Sequence, residues 1–188
     1  MSTTPSLSHP AMPGLARKGA VIVLGVALIT LCAKLRVPSW PVPMTLHTLA
    51  VMAIALATGP RLATATFMAY LMAGAAGLPV FSGTPERGIG LAYMVGPTGG
   101  YLLGYLVASW VSASMALGRG TPGRIIAMLA GLAITYAVGL LWLAKFVPAG
   151  AVVAAGFTPF ILGDLINIAM VALGAIVLPA RLMGRIGQ

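Results

Sequence analysis

Charged side chains in this chain are confined to the gaps between long apolar runs, and this pattern determines the solvent in which it can fold. Only 7% of the residues are charged, 60% are hydrophobic, and the mean hydropathy is +1.03. A soluble domain carries about 25% charged residues. Because 188 residues cannot hide so much apolar surface in an aqueous core, the sequence predicts an integral membrane protein surrounded by lipid.

Six apolar segments approach the length of about 17–25 residues with which a helix crosses a bilayer. They are Gly19–Leu35, Met44–Gly59, Leu62–Phe81, Tyr93–Leu117, Arg124–Ala144 and Phe157–Ala180. None shows the period-two alternation that is typical of membrane-spanning β-strands. We therefore expect an all-α integral membrane protein, a compact bundle of six transmembrane helices forming a single domain over residues 1–188. Residues 1–15, rich in Ser, Thr and Pro, predict a disordered tail.

Lysines and arginines between the segments are distributed unequally. With six spans, seven of them fall on the side that carries both termini and four fall on the other side. The positive-inside rule then places both termini in the cytoplasm. The net charge of +9 is scattered at helix ends, without a basic stripe interleaved with aromatic residues. This pattern favours lipid headgroups as partners and argues against nucleic acid.

Motifs for enzymatic chemistry are absent from the sequence. It contains no GxxxxGK[ST] phosphate loop, no HExxH, no CxxC and no GxSxG. Its two acidic residues, Glu86 and Asp164, lie far apart in different settings, and a metal site would need more ligands. A single cysteine, Cys32, excludes an internal disulfide. We expect no catalytic residues, no metal and no cofactor, which leaves a binding or transport role.

Asp164 is an isolated carboxylate within an apolar segment. A charge near the bilayer centre costs about 2.5–3.5 kcal/mol on insertion scales, so such residues face a cavity or a partner. Asn167, three positions later, shares its helical face. We interpret the pair as ligand contacts; a helix–helix hydrogen bond, or an ion pair with Lys34 or Arg36, is the structural alternative. His47 opens the second segment and is either a ligand contact or a neutral histidine within the bundle.

Three stretches interrupt the helical pattern. Val37–Thr45 contains three prolines that predict an extended loop, in which Trp40 is either an interfacial anchor or a wall of a ligand pocket. Gly77–Gly90 predicts a flexible outer loop that could gate a pocket, where Arg87 is solvated or meets an anionic ligand. Gly96–Tyr101, with three glycines and a proline, predicts a broken helix whose amides bind a ligand, or a plain helix start.

Four motifs, in their order and spacing, resemble the BioY family. They are PVPMTLHT at 41–48, GLPVF at 77–81, GPTGGY at 96–101 and PFILGDLINI at 159–168. BioY proteins are biotin-specific substrate-binding (S) components of energy-coupling-factor (ECF) transporters. The resemblance covers about residues 15–180 and implies a six-helix protein of the bacterial inner membrane that captures biotin from outside. It also implies two kinds of partner, a transmembrane coupling (T) component and two ABC ATPases.

The resemblance also places the site. Ligand contacts are expected at Asp164, Asn167, Tyr101, Thr98, Gly99, Gly100, Phe81, Trp40, His47 and Arg87, and T-component contacts at Ala16 and Ala20. Asp164 can accept from the ureido N–H groups of biotin, Asn167 can donate to the ureido carbonyl, and aromatic residues can cover the apolar rings.

The sequence departs from the family pattern at two of these positions. Family members often have Gln at the position of His47 and Lys at that of Asn167, and an asparagine cannot meet a carboxylate with a full charge.

Three other functions are compatible with the residues. An S component for another vitamin would share the fold. An intramembrane enzyme using Asp164, such as a lipid-modifying transferase, would need a second catalytic group at the same depth. A helical scaffold would have no pocket around Asp164, and its substitution would leave small-molecule binding untouched.

Overall fold

The computed structural model describes residues 14–37, 44–86 and 88–177, and these are predominantly helical. The helices are α1 Gly14–Lys34, α2 His47–Thr58, α3 Pro60–Ala75, α4 Gly90–Val95, α5 Gly99–Ala116, α6 Thr121–Leu143, α7 Val152–Gly156 and α8 Thr158–Val177. Two short strands, β1 Arg36–Val37 and β2 Met44–Thr45, and a 3-10 turn at Ala149–Ala151 complete the described elements.

Six of the helices, α1, α2, α3, α5, α6 and α8, correspond to the six predicted apolar segments, which confirms the all-α membrane fold class. Three helical stretches, Gly14–Lys34, Thr121–Leu143 and Ala149–Ile176, are long and apolar enough to cross a bilayer. The others are shorter: the 12 residues of α2 extend only about 18 Å. A short helix leaves non-helical backbone at membrane depth, which is tolerated where that backbone is buried or lines a cavity.

The connection between α1 and α2 is a small antiparallel hairpin. Strand β1 pairs with β2 in the register Arg36↔Thr45 and Val37↔Met44. Directly after β2, the Leu46 amide donates to the Cys32 carbonyl of α1 at 3.2 Å. The predicted extended stretch therefore begins and ends as strand, and α2 starts three residues later than its apolar run. Residues 38–43, and with them Trp40, lie outside the described residues.

The predicted segment Tyr93–Leu117 is wrong as one continuous helix. Helix α4 ends at Val95, three residues follow without helix, and α5 begins at Gly99. The break is the interruption predicted at Gly96–Tyr101. It arises because Pro97 has no amide hydrogen to donate to the preceding turn.

Close helix packing and lipid exposure account for the remaining composition. Helices α5 and α6 run against each other along their length, and a Cβ at Gly104 would lie 2.7 Å from the Thr135 Cα. Large apolar side chains on the outer helix faces are exposed, including Leu24 at 69% and Leu141 at 76%. In a multi-pass membrane protein these faces contact lipid. Small residues at helix crossings and apolar residues outside are the membrane counterpart of a water-soluble core.

Two buried clusters hold the bundle together, and a cavity lies between them. One cluster joins α1, α2 and α3 through residues such as Ile29, Val51 and Phe67. The other joins α2, α6 and α8 through residues such as Met52 and Ile168. Aromatic residues from both clusters form the walls of the cavity described next.

Candidate functional site

A cavity of about 190 Å³ opens at one end of the bundle. At this end α2, α5 and α8 begin and α3 and α6 end, so residues distant in sequence converge. The cavity is lined by Thr45, His47, Tyr70, Ser82, Tyr93, Thr98, Tyr101, Leu102, Tyr105, Thr135, Tyr136, Phe160 and Asp164.

Tyrosine dominates the wall. The chain contains five tyrosines, and every one of them lines this cavity. Tyr101 and Tyr136 meet edge to face at 6.3 Å between ring centroids, and Tyr136 meets Phe157 in the same way at 4.9 Å. Such rings offer an apolar face to a ligand body and hydroxyls at defined points. The cavity therefore suits a small molecule with an apolar body and a few polar groups.

Asp164 lies in the wall, on the second turn of α8. Its Oδ1 accepts a hydrogen bond from Thr48 Oγ1 at 2.6 Å and its Oδ2 accepts one from the Tyr136 hydroxyl at 2.5 Å. A carboxylate has about four acceptor sites, so both oxygens retain capacity for a ligand donor. Among the lining residues that the structure describes, Asp164 is the single carboxyl group, and none is a lysine or an arginine.

The carboxylate is held by a chain of hydroxyls from three helices. Because Thr48 uses its one hydrogen toward Asp164, the Tyr105 hydroxyl donates to Thr48 Oγ1, at 2.5 Å. Tyr105 on α5 thus orients Thr48 on α2, which orients Asp164 on α8. The ion pair with Lys34 that the sequence left open does not form, since the Lys34 ammonium donates to Thr84 instead.

His47 lies in the wall beside three aromatic rings. Its ring is 4.8 Å from that of Tyr105 and 5.7 Å from that of Tyr70, measured between centroids, and 6.1 Å from that of Phe67. The residue is 8% exposed, and its Nε2 has no hydrogen-bond partner among the residues that the structure describes. A buried polar atom at a cavity wall is a group that a ligand can satisfy.

Asn167 lies behind the wall rather than in it. Its side chain is fully buried, and Nδ2 donates to the Thr45 carbonyl at 3.0 Å. This bond connects α8 to strand β2, next to the start of α2. Asn167 does not line the cavity. Its Nδ2 has a second hydrogen besides the one given to Thr45, and its expected donation to a ligand carbonyl stays a prediction.

In the GPTGGY stretch, some residues line the cavity and others pack against neighbouring helices. Thr98 and Tyr101 line the cavity, and their ligand contact stays a prediction. Gly99 and Gly100 do not line it: a Cβ at Gly99 would overlap the Met94 carbonyl, and one at Gly100 would overlap Trp142. Both positions serve close packing, since only glycine lets these backbones approach, and their expected ligand contact through backbone amides stays a prediction.

Phe81 is also a support, not a wall residue. It is fully buried, stacks on Tyr93 at 4.9 Å and 16°, and meets Tyr70 edge to face at 5.4 Å. Its ring occupies the space over Gly74, where a Cβ would overlap it. Phe81 therefore places two wall tyrosines without itself lining the cavity, and its expected ligand contact stays a prediction. Arg87, like Trp40, lies outside the described residues.

Ala16 and Ala20 lie at the start of α1, at the opposite end of the bundle from the cavity. Ala16 is exposed and Ala20 half-buried, and their role in partner binding stays a prediction. Within residues 14–37, 44–86 and 88–177, no group of three or more His, Cys, Asp or Glu side chains could hold a metal ion.

Sequence reasoning missed most of the aromatic and hydroxyl-bearing wall. The missed lining residues are Thr45, Tyr70, Ser82, Tyr93, Leu102, Tyr105, Thr135, Tyr136 and Phe160. One signal was available: Tyr105 follows Tyr101 by four residues and shares its helical face. The tyrosines of α3, α4 and α6 carried no such signal, because their convergence depends on how the helices cross.

Trp142 holds the broken helix in place, and this gives a first prediction. Its indole Nε1 donates to the Gly96 carbonyl at 3.0 Å. Trp142→Phe removes this hydrogen bond, which we expect to lower the free energy of unfolding by about 1 kcal/mol, measured by denaturation in detergent. Trp110→Phe is the control, because Trp110 is 54% exposed on the outer face. Equal effects in the two variants would contradict a role for this bond.

Comparison with known proteins adds three findings. A family model described as the BioY family matches residues 2–183. A probable biotin transporter BioY of Pyrococcus horikoshii is 35% identical over 169 residues, covering 90% of this chain and 98% of the relative. The biotin transporter BioY of Thermotoga maritima is 36% identical over 152 residues, covering 80% and 88%.

A solved structure shares the fold. The crystal structure of the S-component for biotin from an ECF-type ABC transporter matches with a TM-score of 0.72, at 24% identity, and covers 87% of this chain and 92% of the other.

Proposed function

Because the chain belongs to the BioY family, we propose that it is the substrate-binding (S) subunit of an ECF transporter and that its ligand is biotin. Proteins of this family are membrane transport components, not enzymes. The subunit would capture biotin from outside the bacterial inner membrane, with both of its termini in the cytoplasm. The expected location of the cavity at the outer end of the bundle follows from the distribution of Lys and Arg.

The observation that carries this proposal is the Asp164 carboxylate within a tyrosine-lined cavity. Biotin has a ureido ring with two N–H donors and one carbonyl, an apolar bicyclic body and a carboxylate tail. The free acceptor capacity of Asp164 matches the ureido N–H groups, and rings such as Tyr101 and Tyr136 match the apolar body. Desolvated hydrogen bonds to a charged acceptor give both affinity and orientation.

The ligand tail needs a different environment. Asp164 would repel a carboxylate, so we place the tail away from it, toward Thr98 and Ser82. Both are hydroxyl-bearing residues of the wall, and His47 Nε2 is a further neutral group. Neutral donors in a low-dielectric cavity can bind a carboxylate without a full counter-charge. This arrangement accommodates Asn167 where the family often has Lys.

The partners of the transporter would dock at the other end of the bundle. We propose a T component and two ABC ATPases, because the chain has no phosphate loop of its own. Ala16 is exposed there. A groove of about 760 Å³ opens at the same end, bordered among others by Leu15, Lys18 and Leu117. Small residues at an exposed helix face permit close helix contact in lipid.

Equilibrium binding tests the proposal. We expect labelled biotin to bind the purified, detergent-solubilised chain and unlabelled biotin to compete with it. Other water-soluble vitamins should not compete at 100-fold excess, which corresponds to a difference of about 2.7 kcal/mol in binding free energy. Competition by another vitamin at low excess would instead favour the second candidate, an S component for that vitamin. This second candidate is favoured by two departures from the family pattern, since His47 and Asn167 stand where family members often have Gln and Lys. A folded chain that binds no biotin would remove the proposed function.

A further inference from the structure

The segment Val80–Thr84, here called the strap, crosses the edge of the cavity between α3 and α4. Ser82, at its middle, lines the cavity. The side chains of Phe81 and Thr84 point inward and are buried, at 0% and 5% exposure. The strap is therefore part of the cavity wall, through Ser82, although it belongs to no helix.

Two wall tyrosines hold the strap from the cavity side. The Tyr70 hydroxyl donates to the Val80 carbonyl at 3.2 Å, and the Tyr93 hydroxyl donates to the Ser82 carbonyl at 2.8 Å. Between them Phe81 contacts both tyrosine rings. A ligand that touches Tyr70 or Tyr93 consequently contacts the same rings that position the strap.

A cation from α1 holds the strap from the other side. Lys34, the last residue of α1, is an exposed residue. Its ammonium donates to the Thr84 carbonyl at 2.6 Å and to Thr84 Oγ1 at 2.8 Å. Thr84 Oγ1 in turn donates to the Phe81 carbonyl at 2.7 Å. These bonds connect α1, through Thr84, to the buried residue on which Tyr70 and Tyr93 pack.

We propose that Lys34 is a positioning residue for ligand binding: by holding Thr84 it keeps the strap closed over the cavity, and ligand exchange requires its release. The inference rests on the proposed function and assigns the gating contact of that same site. A lysine is suited to this role. Its ammonium offers three donors on a flexible stem, so the two bonds can break and reform without rearrangement of the packed tyrosines.

The inference has a kinetic signature. A contact that holds the strap closed both with and without ligand alters the opening equilibrium equally in the two states. Loss of the contact then raises the association and dissociation rate constants together and leaves Kd nearly unchanged. Damage to the cavity itself would raise the dissociation rate constant alone, as most changes in affinity do.

Stopped-flow kinetics with biotin and the purified full chain test this. For Lys34→Met we expect both rate constants to rise about fivefold, as the loss of two charge-assisted bonds at an exposed site permits, with Kd within about twofold of wild type. Lys34→Arg keeps a charged donor and should restore slow exchange. Lys145→Met is the matched control, because it removes another lysine, placed over Trp142 and predicted on the same membrane side, and it should leave both rate constants unchanged.

Three results would overturn the inference. Unchanged rate constants in Lys34→Met would show that the strap does not depend on Lys34. A higher dissociation rate constant alone would show damage to the cavity. A larger loss for biotin than for biotin amide would make Lys34 a counter-ion of the carboxylate rather than a positioning residue. If wild-type protein binds no biotin, the proposed function fails, and the same Lys34 variants are then measured with the vitamin that does bind.

Discussion

Asp164→Ala is expected to abolish measurable biotin binding, with Kd raised at least about 100-fold. The substitution removes the acceptor that we assign to the ureido N–H groups. It also leaves the Thr48 and Tyr136 hydroxyls, which now donate to Asp164, without their buried partner. Hydrogen bonds to a charged group contribute about 1.5–3 kcal/mol each. Losing the two bonds from the ureido N–H groups therefore corresponds to a factor of about 100 or more in Kd. Equilibrium binding of labelled biotin measures the change.

Glu86→Ala is the matched control for Asp164→Ala. Glu86 is the one other acidic residue of the chain, and it is exposed in the α3–α4 connection. Its loss should leave Kd within about twofold, since isolated surface substitutions have small effects. Helical content and elution volume of both variants must match the wild type. Wild-type affinity in a folded Asp164→Ala protein would keep biotin as the ligand and reject Asp164 as its contact.

Much of the fold follows from features that act locally. Apolar runs predicted the six helices α1, α2, α3, α5, α6 and α8, and prolines and glycines predicted the break before α5. These predictions succeed because bilayer thickness and backbone hydrogen bonding restrict each segment on its own. The short helices α4 and α7 and the hairpin that delays α2 were not predicted. Such elements depend on pairing and packing with neighbours rather than on the hydropathy of their own residues.

A position facing the cavity was predictable where chemistry alone singles out a residue. An isolated carboxylate in lipid, Asp164, had to face a cavity or a partner, and the structure places it in the cavity wall with Tyr136 and Thr48. Asn167 shares the helical face of Asp164, as predicted, but its side chain is fully buried and is not among the residues that line the cavity. Its Nδ2 donates to a backbone carbonyl of strand β2, a contact that no helical periodicity can predict.

Gly99 and Gly100 illustrate a second limit. A glycine in a membrane helix can expose backbone to a ligand or admit a neighbouring helix, and the sequence is the same in both cases. Here the neighbours are Met94 and Trp142. Similarly, the wall tyrosines of α3, α4 and α6 become a site only through the helix crossings. Ligand contacts read from a motif therefore need the crossing geometry before wall and support can be separated.

Gly104→Ala is expected to destabilise the bundle by about 2 kcal/mol, although alanine is the better helix former. The exchange should gain about 0.5–1 kcal/mol in helix propensity. The new Cβ, however, would lie 2.7 Å from Thr135 Cα and 2.9 Å from the Thr135 carbonyl oxygen. Backbone cannot rotate away as a side chain can, so α5 and α6 must separate, and overpacking of this kind costs about 1–3 kcal/mol or more. Denaturation in detergent measures the free energy of unfolding.

The same displacement should weaken ligand binding, because Thr135 and Tyr136 belong to the cavity wall. Gly174→Ala is the matched control: it makes the same exchange within α8, where a Cβ would meet nothing within 4 Å. At Gly174 the gain in helix propensity is not opposed by a steric contact. We therefore expect an unchanged or slightly higher free energy of unfolding, with wild-type biotin affinity. If both variants were stabilised alike, α5 and α6 would have room to separate without cost, and close glycine packing would not determine the shape of the cavity.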